Sequence, residues 1–223
     1  MLFFSLFFIE LIILFLLSRN VSRVLAHFIY RLTKNSTVTI SAIAFLFLPG
    51  TILHELSHAL FAGLLGVRVG TMEFVPKTEG EHIKLGSVQI AQTDPFRRFF
   101  IGAAPLISGT AILLGLLFYT AQQHLFSNYL FVIFIGYLVF EIGNTMFSSR
   151  KDMEGAVELF ATLIAIIIIL YFFGIRISFF NSGILFDQPL FQQVFRSGCL
   201  FLIVPLVIDA IIILLFNPLK RKA

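Results

Sequence analysis

Long apolar stretches alternate with short polar breaks along most of the chain. Runs at 2–17, 38–66, 97–119, 129–149, 156–174 and 198–216 approach or exceed the length needed to cross a hydrocarbon core of ~30 Å. Inside lipid each backbone polar group has to be satisfied within its own segment, so such runs predict helices. The pattern therefore predicts an all-α polytopic membrane protein with about six transmembrane helices. The second run is the longest, and Pro49-Gly50 within it predicts a tilt or a break, because proline removes a donor and its ring crowds the preceding turn.

Residues 67–91 interrupt this pattern. Positions 67–75 and 82–91 are rich in strand-forming residues, and Thr78-Glu79-Gly80-Glu81 between them has the chemistry of a hairpin turn. In the second strand Ile83 and Leu85 share one face and Val88 and Ile90 share another, with the parity changing at Gly86. A bulge at Gly86 restores a single apolar face. The segment is expected to be a membrane-associated β-hairpin whose free edge, with Val88 and Ile90, can pair with an extended peptide.

Composition agrees with the membrane reading. At 58% hydrophobic and 13% charged, the chain has too little polar surface to fold all these runs into one soluble core. A lone cysteine, Cys199, lies in an apolar run and offers no disulfide framework. The net charge of +4 is spread over short loops, which fits membrane orientation and not nucleic acid. With a cytoplasmic N-terminus, the cytoplasmic side holds Arg68, Lys77, Lys84, Arg97, Arg98, Arg150, Lys151, Lys220, Arg221 and Lys222. Arg19, Arg23, Arg31, Lys34, Arg176 and Arg196 lie opposite. This excess predicts a multi-pass protein of the cell membrane with both termini cytoplasmic. The first run lacks a basic leader and a small-residue cleavage site, so it reads as a retained helix. The whole chain, 1–223, is expected to be a single membrane-embedded domain, with 175–196 an interfacial segment.

Chemistry enters with His54-Glu55-Leu56-Ser57-His58, an H-E-x-x-H motif within the second run. On a helix, positions i and i+4 share a face, so both imidazoles can hold one Zn²⁺ while Glu55 lies beside the metal as a base. Polar side chains at such depth cost several kcal/mol unless they find partners. A catalytic zinc needs a third protein ligand and an open position. His27, His82 and His124 fall in loops or near run ends. Glu10, Glu141, Asp152, Glu154, Glu158 and Asp209 are the carboxylates in or near the runs. Among these, Asp152 follows a stretch of small polar residues from Asn144 that reads as an unwinding helix. Such backbone is tolerated at membrane depth only where protein or water covers it.

With these residues in hand, the chain resembles the site-2 protease type of intramembrane zinc metalloprotease over 38–174. The likeness rests on the motif at 54–58, on the β-rich hairpin after it, and on Asn144 followed by Asp152 at the family's offset. Ala104-Pro105-Leu106-Ile107-Ser108 is similar to the family's Gly-Pro-x-x-Asn. The chain departs from the family at Phe147 and Ser149, where prolines are usual, at Met153 after the Asp, and at Ala104 and Ser108. The resemblance implies one Zn²⁺ per chain on His54, His58 and Asp152, with Glu55 as general base. It also implies Asn144 as an oxyanion or substrate contact and Ser108 as a further substrate contact. The implied substrate is a single-pass transmembrane protein or peptide, cut toward the cytoplasmic side. Two other readings stay open: a membrane zinc protease whose site is completed by a downstream glutamate such as Glu141, and a non-proteolytic metal-binding scaffold or carrier in which Glu10 and Asp209 matter more.

Overall fold

The computed structural model describes residues 2–73, 77–79, 82–84, 86–123, 129–149, 151–172 and 188–216. They form helices α1 (Leu2–Thr33), α2 (Ser36–Leu46) and α3 (Leu48–Leu64), then strands β1 (Val69–Glu73), β2 (Lys77–Glu79), β3 (His82–Lys84) and β4 (Ser87–Ile90). Helices α4 (Pro95–Gln122), α5 (Tyr129–Thr145), α6 (Glu154–Phe172) and α7 (Pro189–Phe216) follow. The protein is mainly helical. Helices α1, α4 and α7 are each long and apolar enough to cross a membrane, and α2 with α3 makes a further candidate span bent by 64°. The apolar residues of 175–187 and the charges at 150 and 220–222 lie outside the described residues.

Helix α1 runs far beyond the expected end at residue 17. Arg19, Asn20, Ser22 and Arg23 lower the hydropathy there but leave a buried seam intact, through Phe7, Leu11, Leu14, Ser18 and Val21 at alternating steps of four and three. That seam packs on α7. Phe4 meets Phe191 and Phe195 near one end, and Phe28 meets Phe216 near the other. The two helices are therefore parallel, and the start of α1 and the end of α7 lie at opposite ends of the bundle.

Helix α5 runs antiparallel to α4, since Gly143 approaches Leu113 while Gly109 lies against Met146. After residues 146–153 the chain does not turn back. The Asp152 backbone lies on Gly102 and Phe160 on Phe99, so α6 continues down α4 in the direction of α5. What reads as a loop between two spans is, in its described residues, a break laid against α4 at Gly102.

The expected break near Pro49-Gly50 is present. Helix α2 ends at Phe47, and α3 begins with Pro49 in its first turn, where a missing N–H costs nothing. Phe47 has no side-chain cap to offer. Glu141 of α5 supplies one, its Oε2 accepting from the Gly50 N–H at 3.0 Å while the side chain is fully buried. Glu141→Leu should leave this donor bare and lower the unfolding free energy by about 1–3 kcal/mol, measured by denaturant titration in detergent. Unchanged stability would show that the cap contributes nothing.

In the hairpin, β1 pairs with β4 through Val69↔Ile90, Met72↔Val88 and Glu73↔Ser87, and β2 pairs with β3 through Glu79↔His82. The Glu79↔His82 pair flanks the expected turn, whose residues 80 and 81 lie outside the described residues. The irregularity in the β1–β4 ladder falls in β1 between Val69 and Met72, and Gly86 precedes β4 next to residue 85, which lies outside the described residues. At Gly86 a Cβ would stand 2.8 Å from Thr51 Cγ2 and 3.2 Å from Glu55 Cγ. A glycine lets the hairpin backbone lie directly on α3.

Candidate metal centre

One turn of α3 presents His54 and His58 on the same side, and the break between α5 and α6 brings Asp152 to meet them. His54 Nε2 and His58 Nε2 are 3.2 Å apart. The Asp152 carboxylate lies 3.8 Å from the first and 3.6 Å from the second. Ligand atoms bound at about 2.0–2.1 Å in a tetrahedron are about 3.3 Å from one another, so this triangle has the size of one face of a zinc site. Among the described residues this is the group of His, Cys, Asp and Glu that can hold a metal ion.

The proton positions point the same way. His54 Nδ1 lies 2.6 Å from the Thr145 carbonyl and His58 Nδ1 lies 2.7 Å from the Ile101 carbonyl. A carbonyl only accepts, so both Nδ1 atoms carry the proton, and in the neutral rings both Nε2 lone pairs face the shared space. Two lone pairs and a carboxylate converging without a donor repel one another. A cation between them removes that repulsion, and backbone carbonyls behind metal-binding imidazoles are a common second layer. Thr145 is the last residue of α5, so the end of the helix leaves its carbonyl free for this contact.

Asp152 is held from its own turn. The Ser149 N–H donates to Asp152 Oδ2 at 2.7 Å, and the Asp152 N–H donates to Ser149 Oγ at 3.3 Å. Ser148 Oγ ties the turn to α4 by donating to the Gly102 carbonyl at 2.6 Å. Two glycines of α4 make room for it. A Cβ on Gly102 would collide with the Asp152 carbonyl, and one on Gly109 with the Met146 side chain. Gly50 makes the same allowance on α3, against Thr145. These three glycines are absent from the expected site, and Glu141, expected there only as an alternative ligand, acts as a cap. The spacing of Gly102 and Gly109, seven residues on one helix face, is the sequence signal that close helix packing leaves.

The other expected residues divide. Glu55 is buried beside the ligands and beneath Gly86, so the hairpin covers the motif helix at the base. Val88 and Ile90 are half-buried in β4, and Ile90 packs toward Ala62, Val67 and Ile101 at the foot of α3 and α4. Ser108 is half-buried on α4 next to Gly109. Asn144 is held by α5 and α7. Both hydrogens of its amide are engaged, one with the Phe140 carbonyl at 2.9 Å and one with Asp209 Oδ1 at 2.8 Å. In this arrangement it has no donor left for an oxyanion, and it ties α5 to α7 instead. Glu158 lies near Arg98 at the surface, 3.8 Å away, and Glu10 and Asp209 are buried on α1 and α7. None of these carboxylates joins the His54–His58 pair. The His82 and His124 side chains lie outside the described residues.

Compared with models of protein families, with curated proteins and with solved structures, the chain matches none of them. The reading of its function rests on the geometry above.

Proposed function

We propose that the protein is an intramembrane zinc metalloprotease of the site-2 protease type, which hydrolyses a peptide bond in or near the transmembrane segment of a membrane-anchored protein. The observation that carries this is the His54–His58–Asp152 triangle with Glu55 on the same helical turn. His54, His58 and Asp152 would hold the ion with three protein ligands, the number a catalytic zinc uses where a structural one uses four. Bound there, Zn²⁺ supplies a Lewis acid for the scissile carbonyl and lowers the pKa of water toward ~7.

The chain's own residues do the rest. Glu55, next to His54 in sequence and shielded by the hairpin, takes the proton of the attacking water and returns it to the departing amine. A substrate helix has to unwind first, because helical hydrogen bonds bury its carbonyls. Strand β4 is bonded to β1 along one edge, and the described residues place no strand on the other. A substrate strand added there would recover backbone bonds, with Val88 and Ile90 setting the side-chain fit. Among the described residues α1, α2–α3, α4 and α7 are the candidate crossings, and the breaks between α2 and α3 and between α5 and α6 both lie beside the metal ligands. Glu141 is committed to Gly50, which favours Asp152 over a glutamate-completed site.

The test is bound metal in the detergent-purified protein. Wild type should hold close to one zinc per chain, His54→Ala none, Asp152→Ala far less than wild type, and Glu141→Gln as much as wild type. A folded wild type that binds no zinc overturns the proposal.

A further inference from the structure

The Ile101 carbonyl that receives His58 lies inside α4, where carbonyls are ordinarily taken by the N–H four residues on. Here the residue four positions on is Pro105, buried within the helix and without an N–H to give. A proline ring also presses on the carbonyl four residues back and tilts it away from the helix axis. The freed carbonyl is the one that His58 Nδ1 reaches at 2.7 Å.

We infer that Pro105 is a positioning residue for the metal site: by withholding a backbone N–H it leaves the Ile101 carbonyl for His58, and so fixes the His58 tautomer that presents Nε2 to the metal. His54 obtains the same service differently, from a carbonyl freed by the end of α5. Neither imidazole has to compete with a helix for its acceptor. The inference rests on the metal-site reading, although its effect on the His58 tautomer is independent of bound metal. Position 105 touches neither metal nor substrate in this scheme and acts only through His58.

The experiment compares full-length wild type with Pro105→Ala and with a variant carrying lactic acid at 105, an ester linkage that lacks both the ring and the N–H. Pro205→Ala serves as a matched control, since Pro205 is also buried inside a helix, α7, and lies against Gly143. Zinc affinity is read by chelator competition. The histidine tautomers are read by ¹⁵N NMR on the zinc-free protein, and the Tm of that form is measured alongside.

Pro105→Ala restores an N–H that competes for Ile101. Its zinc affinity should fall by about 10–100-fold, the range found when a ligand's outer partner is disturbed. The Nδ1-protonated signal of His58 should weaken, while the zinc-free Tm holds or rises because alanine suits a helix interior better. The ester variant and Pro205→Ala should keep wild-type affinity. That opposition, looser metal with a firmer helix, is not what a merely structural proline gives. Wild-type affinity in Pro105→Ala would overturn the inference and leave the metal site standing. Loss in the ester variant as well would assign the effect to the ring and overturn it too. A wild type without zinc but with His58 protonated at Nδ1 only when Pro105 is present would sink the metal reading and keep the tautomer claim.

Discussion

Glu55→Gln is expected to leave the protein folded and zinc-loaded while cutting hydrolysis of a transmembrane peptide by about 10²–10⁴-fold, the range that a positioned general base contributes. Glutamine keeps the size of the side chain and its contact under Gly86, so the packing between α3 and the hairpin survives. The ligand atoms of His54, His58 and Asp152 are untouched by the change. Only the capacity to accept and return a proton is lost. Zinc content and single-turnover cleavage measured on one preparation separate the outcomes. Cleavage at the wild-type rate would remove Glu55 from the mechanism. Loss of zinc would make it a ligand or a structural support.

The second large effect is expected at a residue that bears no functional group. Gly102→Ala places a methyl group where the Asp152 carbonyl now sits, and neither backbone can yield without moving the turn that holds the carboxylate. A displaced Asp152 leaves the two histidines with no third ligand, and zinc affinity should fall by about 100-fold. Gly115→Ala in the same helix is the control, because a Cβ at 115 meets nothing within 4 Å. It should keep zinc and gain up to about 1 kcal/mol from helix propensity. Equal zinc affinity in both variants would show that the contact between α4 and the Asp152 turn does not position the ligand.

Much of the site was legible because its decisive part is local. Two histidines four residues apart on a helix share a face whatever the rest of the chain does, and Glu55 comes with them. Asp152 stood out among the carboxylates by the small polar residues before it, and its place beside the histidines was what the family resemblance implied. The residues that sequence could not assign depend on distant partners. Asn144 reads as a reaction group until Asp209, 65 positions away, takes its amide. Gly102 and Gly109 read as ordinary helix glycines until the 146–153 turn is laid against them. The direction of α6 also belongs to that packing. Hydropathy counts apolar runs, and a run that continues its predecessor downward scores the same as one that returns. Helix α1 escaped for a related reason: hydropathy averages over all faces, whereas its seam continues on a single face past Arg19.

The break that carries Asp152 has a consequence for how the chain is made. The ribosome completes His54 and His58 long before Asp152, which lies 94 positions after His58. At about 5–20 residues per second, the pair of histidines waits on the order of ten seconds for its third partner. The nascent protein therefore enters the bilayer with its motif helix in place and its ligand set incomplete. On the proposed function, activity would begin only when α5 and α6 have been laid along α4, so a protein that cuts membrane segments would stay inert while its own are being inserted.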